Sequence, residues 1–385
     1  MKKRLHPDVI RLGIVSFLTD LSSEMVFSVF AVFFTTVIGA TTAVLGLIEG
    51  LADFSSSSLD YVAGWLSDKY DRRKPFAMLG YGFSTLAKTM LVVADSVAGV
   101  GAFRVVERLG KSFRGPPRDA WLAAIATKKD RGYTFGVHKA FDKAGAVLGP
   151  LVAYGLLRYL GERPETFRLM FWIALVPATL SVLVLAFMKD RPVASTRREN
   201  LFAAFKQLSP QFKRYLVVAG VFALAYFSFS FLLLEAYDLE FSAAQVVLLY
   251  ALFNLTFVVV SPWIGRLGDR IGRHAIIITG YLAYLVMCVG FLFAASPLHI
   301  VALFIVFGVF YAIDEAQTRA FVADLEPDRK ATAIGAYNMV TGLLYIPASL
   351  IAGTLWMVRP PLIFVAAGGI TLVAIVLFVA LRKRM

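Results

Sequence analysis

Residues 64–73 of the chain read GWLSDKYDRR, and residues 265–274 read GRLGDRIGRH. The leading glycine, the aspartate and an arginine of the two segments are each separated by 201 residues. The same shift aligns RDAW at 118–121 with RAFV at 319–322. A constant offset across several motifs indicates an internal duplication, so we expect two structurally similar halves.

The composition favours a membrane protein. Of the 385 residues, 58% are hydrophobic and 17% are charged, whereas soluble domains have about 45–50% and about 25%. Apolar stretches of about 20 residues, which is the length that spans a bilayer, recur along the chain. We therefore predict an all-α polytopic membrane protein with twelve transmembrane helices in two six-helix bundles. The predicted passes are 10–38, 43–66, 75–95, 97–115, 133–157, 168–188, 215–236, 243–264, 275–295, 298–318, 331–357 and 361–381.

A polar stretch at the midpoint separates the two sets of six passes. It contains seven basic residues and two prolines, and apolar residues at helical spacing from Leu201 to Phe212 predict a helix on the anionic inner leaflet. The predicted domains are an N-terminal bundle over 1–188, a cytoplasmic basic linker over 189–214 and a C-terminal bundle over 215–385.

The net charge of +13 has a topological explanation. With the N-terminus inside, 25 Lys and Arg residues lie in predicted cytoplasmic segments and four lie in the opposite loops. Because basic loops stay on the cytoplasmic side, we expect both termini in the cytoplasm and the protein in the inner membrane. The lipid bilayer is then the expected partner of the charges, and no nucleic acid is expected. The long first apolar run lacks a small-residue cleavage site, which predicts a retained helix rather than a signal peptide.

The duplicated motif resembles the signature of the major facilitator superfamily, G-x-x-x-D-x-x-G-R-R/K between passes 2 and 3. The first copy has Asp71 in place of the second glycine, and the second copy keeps it as Gly272. The resemblance implies the major facilitator fold and a cytoplasmic gate that stabilises the outward-facing state. Turn residues and positive-inside charge alone are the alternative explanation. The gate candidates are Gly64, Asp68, Arg72, Arg73, Gly265, Asp269, Arg273, Arg118, Asp314 and Glu315.

Pass 5 contains a second pattern, similar to the G-x8-G-x3-G-P-x2-G-G motif of antiporters in this superfamily. Its matching positions are Gly136, Gly145, Gly149 and Pro150, whereas Ala153 and Tyr154 replace the final glycine pair. In the family this motif implies export by exchange. Small residues every four positions also permit ordinary close packing of membrane helices.

Charged residues lie inside several predicted passes, where each costs about 2.5–3.5 kcal/mol at a helix centre. Their three- and four-residue spacings put each set on one helix face. A structural ion-pair network and a proton relay are both consistent with this pattern. Arg104 also matches the pass 4 arginine of drug antiporters, although the residues that follow it differ. The candidates for the substrate and proton pathway are Asp20, Glu24, Glu49, Asp53, Arg104, Glu107, Arg108, Lys139, Asp142 and Lys143.

The sequence favours a secondary active transporter that works by alternating access. Proton-coupled export of an amphipathic or drug-like molecule is the leading hypothesis, and a proton-coupled symporter for an organic anion is the alternative. A membrane-embedded receptor or enzyme without transport is the alternative from another class. No P-loop motif is present, which argues against an ATP-driven pump. No cofactor, metal site or enzymatic activity is expected, and the resemblance implies a monomer.

One local expectation concerns the segment GPPRD at 115–119. Two consecutive prolines interrupt a helix by removing two N–H donors. We therefore expect pass 4 to end there in a cytoplasmic turn followed by a short helix.

Overall fold

The computed structural model describes residues 6–70, 72–126, 131–190, 207–327 and 329–382. The regular elements in these ranges are helices. They are α1 (Pro7–Val32), α2 (Thr42–Lys69), α3 (Lys74–Val93), α4 (Val97–Ile125), α5 (Arg131–Leu160), α6 (Pro164–Ala186), α7 (Pro210–Ala225), α8 (Ser230–Asp238), α9 (Ala243–Ile271), α10 (Arg273–Leu292), α11 (Pro297–Ile313), α12 (Arg319–Leu325), α13 (Lys330–Val358) and α14 (Pro361–Leu381), with π-helical turns at Phe33–Val37 and Asp314–Thr318. Most of the predicted linker, residues 191–206, lies outside the described residues, including the predicted amphipathic stretch as far as residue 206.

Twelve segments account for the predicted passes. Within the described ranges, nine are long and apolar enough to cross a membrane, one of which joins α7 and α8. The other three are α2 and α4, of 28 and 29 residues with several charged side chains, and α11, whose 17 residues continue into the second π-helical turn. The predicted fold class, an all-α polytopic membrane protein with twelve spanning helices, is confirmed.

Proline and serine determine where many of these helices begin. A proline lies in the first turn of α1, α3, α6, α7, α11 and α14, where its missing N–H has no helical acceptor to lose. Ser96, Ser209 and Ser296 cap α4, α7 and α11, each accepting a hydrogen bond from the backbone N–H three residues later. These caps satisfy donors that the first helical turn leaves unpaired.

The expectation of a turn at 115–119 was wrong. Helix α4 continues through Pro116 and Pro117 to Ile125. Space for the ring of Pro116 comes from α2, because a Cβ atom added to Gly64 would lie only 3.3 Å from Cβ of Pro116. Prolines are tolerated inside membrane helices when neighbouring helices and local adjustments compensate for the lost donors.

The chain divides into two compact units. Unit 1 comprises the described residues of Met1–Ala40, Leu59–Arg198 and Tyr237–Ala251, and unit 2 those of Thr41–Ser58, Glu199–Ala236 and Leu252–Met385. In unit 1, α1 packs on α5 and α6, and α3 packs on α4 and α6. In unit 2, α14 packs on α7 and α10, and α13 packs on α7. Helix α2 thus contributes its first half to unit 2 and its second half to unit 1.

Candidate transport site

The acidic residues of α1 lie where α5 approaches most closely. A Cβ atom at Gly145 would collide with the carbonyl oxygen of Phe17 and lie 3.1 Å from Cβ of Asp20. One turn later, a Cβ atom at Gly149 would lie 3.2 Å from Cβ of Glu24 and 2.6 Å from a backbone oxygen of α1. Two glycines of the antiporter-like motif therefore bring α5 against the two turns that carry Asp20 and Glu24.

The remaining motif positions behave differently. Pro150 is buried directly after Gly149. A Cβ atom at Gly136 would have no described atom within 4 Å, and this position is exposed. The sequence motif therefore contains two close-contact positions and one open position on the same helix.

Asp142 on α5 is the centre of a buried polar cluster in unit 1. Its Oδ1 accepts a hydrogen bond of 2.8 Å from Oγ of Ser16, and its Oδ2 lies 3.0 Å from Nζ of Lys139. The guanidinium of Arg118 donates to the same Ser16 hydroxyl at 3.3 Å and lies 3.9 Å from Asp142 Oδ1. The carboxyl of Asp20 also lies beside Asp142. The cluster joins α1, α4 and α5, and places the predicted gate residue Arg118 next to the predicted pathway residues.

Glu107 forms a second cluster deeper in unit 1. Its side chain has no solvent exposure. Its Oε1 accepts a hydrogen bond from Oγ of Ser23 at 3.3 Å and lies 3.8 Å from Nη2 of Arg114. Nζ of Lys88 donates to the same Ser23 hydroxyl at 3.0 Å. One carboxylate thereby connects α1, α3 and α4.

Arg104 and Arg108 stack on one aromatic ring of α1. Their guanidinium carbons lie 4.2 and 5.1 Å from the centroid of Phe27, and Arg104 is also 5.2 Å from that of Phe30. Arg104 is only 4% exposed. Such cation–π contacts favour a cation over the ring face, by about 2 kcal/mol or more where water is excluded. They fix two guanidinium groups one helical turn apart, in an arrangement that can bind a carboxylate or phosphate.

Glu24 has a hydrogen-bond donor in α9. The hydroxyl of Tyr250 donates to Oε2 of Glu24, and both residues belong to unit 1. The start of α9 is held by a second acid of this unit, because the backbone N–H of Ala244 donates to Oε1 of Glu162 at 2.9 Å. The first turns of α9 therefore present a phenol to a membrane-embedded carboxylate.

Glu49 lies in unit 2, although the sequence assigns pass 2 to the N-terminal bundle. It is fully buried, and its two carboxylate oxygens accept hydrogen bonds of 3.0 Å from the hydroxyls of Ser228 and Ser230. Ser228 lies within the interruption between α7 and α8, where residues 226–229 are not helical, and Ser230 is the first residue of α8. A half-helix that begins inside the membrane presents unpaired N–H groups, which favours a carboxylate nearby.

Asp53 lies one turn further along α2. It interacts electrostatically with the hydroxyls of Tyr226 and Tyr345, whose ring centroids are 5.3 Å apart. This places Asp53 beside a group of tyrosines in the interior of unit 2.

The first half of α2 packs tightly on α13 within unit 2. A Cβ atom at Gly50 would lie 2.8 Å from Cα of Ile346, and one at Gly46 would collide with a backbone oxygen of Ser349. From the other side, a Cβ atom at Gly353 would lie 2.9 Å from Cα of Ala43. The sequence analysis did not predict this contact, because the residues that meet across the two helices are more than 290 positions apart in the chain.

The first copy of the gate motif contacts α4 and the segment just after α6. Arg73 is buried and donates from Nη1 to Oγ of Ser67 at 2.8 Å. Arg72 lies 3.7 Å from Oδ2 of Asp190, just after α6, whereas Gly64 packs against α4 as described above. The side chain of Asp68 lies outside the described residues. In the described part of this motif, the arginines therefore contact a serine and an acid after α6.

In the second copy the close approach occurs at Gly268, a position that the sequence analysis did not select. A Cβ atom there would lie 2.5 Å from Cδ of Gln317, and Oε1 of Gln317 accepts a hydrogen bond of 2.6 Å from Nη1 of Arg273. Arg273 also reaches Oδ2 of Asp324 at 3.3 Å. A Cβ atom at Gly265 would meet no described atom within 4 Å. The side chain of Asp269 lies outside the described residues.

The predicted gate acids in the π-helical turn after α11 have local partners. Oδ1 of Asp314 accepts a hydrogen bond of 3.2 Å from the hydroxyl of Thr318, within the second π-helical turn. Glu315 lies 3.3 Å from Nη2 of Arg319 in an i,i+4 pair. Lys143, the last pathway candidate, is half-buried beside Asp142 on α5. Among the described side chains, no group of three or more His, Cys, Asp or Glu residues could hold a metal ion.

The sequence profile of the Major Facilitator Superfamily matches residues 12–237 and 215–385. The chain belongs to this superfamily. It is therefore an integral membrane transporter, and the resemblance drawn from the duplicated motif is confirmed. A relative from Methanocaldococcus jannaschii, described as an uncharacterized MFS-type transporter, is 34% identical over 369 residues, which are 94% of this chain and 92% of the relative.

Two further proteins extend the comparison. The multidrug resistance protein MdtH of Proteus mirabilis is 25% identical over 211 residues, covering 54% of this chain and 51% of MdtH. The crystal structure of the nucleoside transporter NupG superposes with a TM-score of 0.80 at 14% identity, covering 98% of this chain and all of NupG (100%). At this identity the likeness to NupG shows the shared fold alone.

Proposed function

We propose that this transporter exports an amphipathic small molecule in exchange for protons, by alternating access. The observation that carries the proposal is the position of Asp20 and Glu24, which lie on the two turns of α1 that contact Gly145 and Gly149. Carboxylates inside a membrane are functional candidates because their insertion is costly. Here they adjoin the helix that carries the antiporter-like motif, so a movement of α5 against α1 changes the surroundings of both acids.

The partners of the two acids support a proton-carrying role. Asp20 lies beside the carboxyl of Asp142, and Glu24 accepts a hydrogen bond from Tyr250. Two neighbouring carboxyls readily share a proton, because both cannot ionise without repulsion. A multidrug resistance protein among the partial relatives is consistent with export of a drug-like compound.

The orientation belongs to the same proposal. With 25 basic residues on one predicted side and four on the other, both termini lie in the cytoplasm and the protein resides in the inner membrane. The working unit is a monomer whose partners are its small-molecule substrate, protons and the lipid bilayer.

A second candidate function is proton-coupled symport of an organic anion. Glu107 interacts with four cations, Arg114, Lys88, Arg108 and Arg104. Such an excess of positive charge in a low-dielectric interior favours an added anion. A proton and an anion that enter together neutralise each other, whereas an exported cation competes with the proton for the carboxylates.

The direction of proton movement distinguishes the two candidates. The protein is reconstituted in liposomes that contain a pH-sensitive dye, and an inward gradient of ethidium, chloramphenicol or naphthalenesulfonate is imposed. Exchange predicts that the lumen becomes alkaline as the compound enters, and symport with naphthalenesulfonate predicts that it becomes acidic. No proton movement with any of the three compounds would contradict both.

Variants of the α1 carboxylates test the residues. Asp20→Asn and Glu24→Gln are expected to remove proton coupling, because an amide cannot take up the proton that the carboxylate carries. Tyr250→Phe is the matched control for Glu24, since it removes the hydrogen bond and keeps the carboxylate. We expect it to slow coupled flux and to leave the direction of proton movement unchanged. Full coupling in both amide variants would exclude these acids as carriers.

A further inference from the structure

Lys88 is a buried cation in a helix to which the sequence analysis assigned no functional residue. It lies on α3, is 1% exposed, and donates from Nζ to Oγ of Ser23 at 3.0 Å. The same hydroxyl donates to Oε1 of Glu107 at 3.3 Å. Burying an ammonium group is costly unless charge and hydrogen bonds compensate, and here a serine hydroxyl bridges it to a carboxylate.

The charged groups that face Lys88 come from two neighbouring helices. Helix α4 presents Glu107 and Arg114, and α1 presents Asp20 and Glu24. Helix α6 also packs on α3; its charged residues are Glu165 and Arg168, and Arg168 binds Asp95 beyond the end of α3. Lys88 therefore acts on the α1 acids as well as on Glu107.

We propose that Lys88 is an electrostatic positioning residue that sets the pH at which the α1 carboxylate Asp20 exchanges its proton. The inference rests on the proposed proton coupling and adds to it a specific residue outside α1 and α5. The ammonium group keeps negative charge favourable on Asp20, and through Ser23 it holds Glu107 against α1. Contact with a transported molecule is not part of this role.

The direction of its effect follows from charge alone. Removing a nearby positive charge makes protonation of an acid easier, so Asp20 holds its proton to a higher pH. Nζ of Lys88 lies 3.0 Å from Oγ of Ser23, and Asp20 is three residues from Ser23 on the same face of α1, where neighbouring Cβ atoms lie about 5–6 Å apart. A unit charge at this range, on the order of 10 Å, shifts the midpoint by about one pH unit at an effective dielectric constant of about 20. Removing the negative charge of Glu107 shifts the same midpoint to lower pH.

The test is a charge-compensation cycle on the full-length protein in liposomes. The midpoint of the pH profile of proton flux is measured with ethidium, chloramphenicol and naphthalenesulfonate for the wild type, Lys88→Met, Glu107→Gln and the double variant. We expect Lys88→Met to raise the midpoint by about one pH unit, Glu107→Gln to lower it, and the double variant to return close to the wild type. Lys88→Arg keeps the charge and is expected to keep the midpoint.

Lys74→Met is the matched control on the same helix. The ammonium group of Lys74 binds the carbonyl oxygens of Ala186 and Met188 at the end of α6. Its removal also deletes one lysine charge from α3, but at the first residue of the helix, 14 positions before Lys88. We expect no shift of the midpoint, whereas equal midpoints for the wild type, Lys74→Met and Lys88→Met would overturn the proposal.

A second measurement keeps the proposal independent of transport. The unfolding temperature of the purified variants in detergent is followed from acid to neutral pH, and its inflection reports proton uptake by the buried acids. The same upward shift is expected for Lys88→Met, with cancellation in the double variant, which also tests variants that transport poorly. If the wild type moves no protons in liposomes and the inflection of Lys88→Met still lies at a higher pH than that of the wild type, the proposed function is refuted and the role of Lys88 is supported. An unshifted inflection in Lys88→Met would refute that role.

Discussion

Replacing Gly145 with alanine tests the contact between α1 and α5 that underlies the proposed proton site. The added Cβ atom would collide with the carbonyl oxygen of Phe17 and lie 2.9 Å from the backbone nitrogen of Leu21 and 3.1 Å from Cβ of Asp20. Two of these three atoms belong to the backbone, so no side-chain rotation relieves the clash. Helix α1 has to move away from α5, and Asp20 moves with it.

The magnitude follows from two opposing terms. Overpacking of a filled interior costs about 1–3 kcal/mol. Alanine in place of glycine inside a helix returns about 0.5–1 kcal/mol. Gly136→Ala is the matched control, because it has the same propensity gain on the same helix and no described atom within 4 Å of the new Cβ. The difference between the two variants therefore isolates the contact, at about 1–3 kcal/mol.

Two assays measure the effect. Reversible unfolding in mixed detergent micelles should give Gly145→Ala a lower free energy of unfolding than Gly136→Ala, with the wild type between them or close to Gly136→Ala. Proton-coupled flux in liposomes should fall at least several-fold in Gly145→Ala alone, because Asp20 is displaced. Equal stability and equal flux for the two alanine variants would refute the idea that the motif positions the α1 acids through close packing.

Two further predictions concern other parts of the chain. Gly268→Ala places a Cβ atom 2.5 Å from Cδ of the Gln317 side chain, and the free energy of unfolding should fall by about 1–3 kcal/mol. The control Gly265→Ala has open space around the new Cβ atom, and its free energy of unfolding should change little. Thermal unfolding in detergent distinguishes the two variants. The double change Ser228→Ala and Ser230→Ala removes two hydroxyl donors from a fully buried carboxylate, and a loss of about 1–3 kcal/mol per unsatisfied oxygen is expected in the same assay. A double variant as stable as the wild type would show that other donors hold that carboxylate.

Much of the fold could be predicted because periodicity and charge act locally. Apolar runs long enough to span a bilayer are visible in the sequence, and so is the 201-residue repeat. The contact of Gly145 and Gly149 with α1 was also within reach, since four-residue spacing of small residues indicates a packing face. The two acids on the facing helix, Asp20 and Glu24, have the same spacing, which is why the motif and the acids match turn for turn.

Other features depend on tertiary contacts that no local pattern encodes. Lys88 looked like one basic residue in an apolar helix, and its relation to Glu107 depends on Ser23 of a third helix. The placement of Glu49 with the serines of pass 7 requires the first half of α2 to pack in unit 2. A repeat in sequence places this half of α2 in the first bundle and gives no information about such an exchange of partners.

The proline pair of α4 shows how tertiary packing overrides a local rule. Taken alone, Pro116 and Pro117 predict a turn, because each removes a helical donor. The glycine at position 64 of a neighbouring helix gives the ring of Pro116 space, and the helix continues to Ile125. The residue that allows this belongs to the duplicated motif, which therefore has a packing role in addition to any role in gating.

Proton release on substrate binding is the most direct test of the central claim, that the carboxylates of α1 carry the coupled proton. Purified wild type in weakly buffered detergent solution is mixed with the panel compound that drives the largest proton flux in liposomes, and the change in pH is recorded. Exchange predicts release of up to about one proton per bound molecule from the wild type and none from Asp20→Asn combined with Glu24→Gln. Equal release from the wild type and this double variant would contradict the claim.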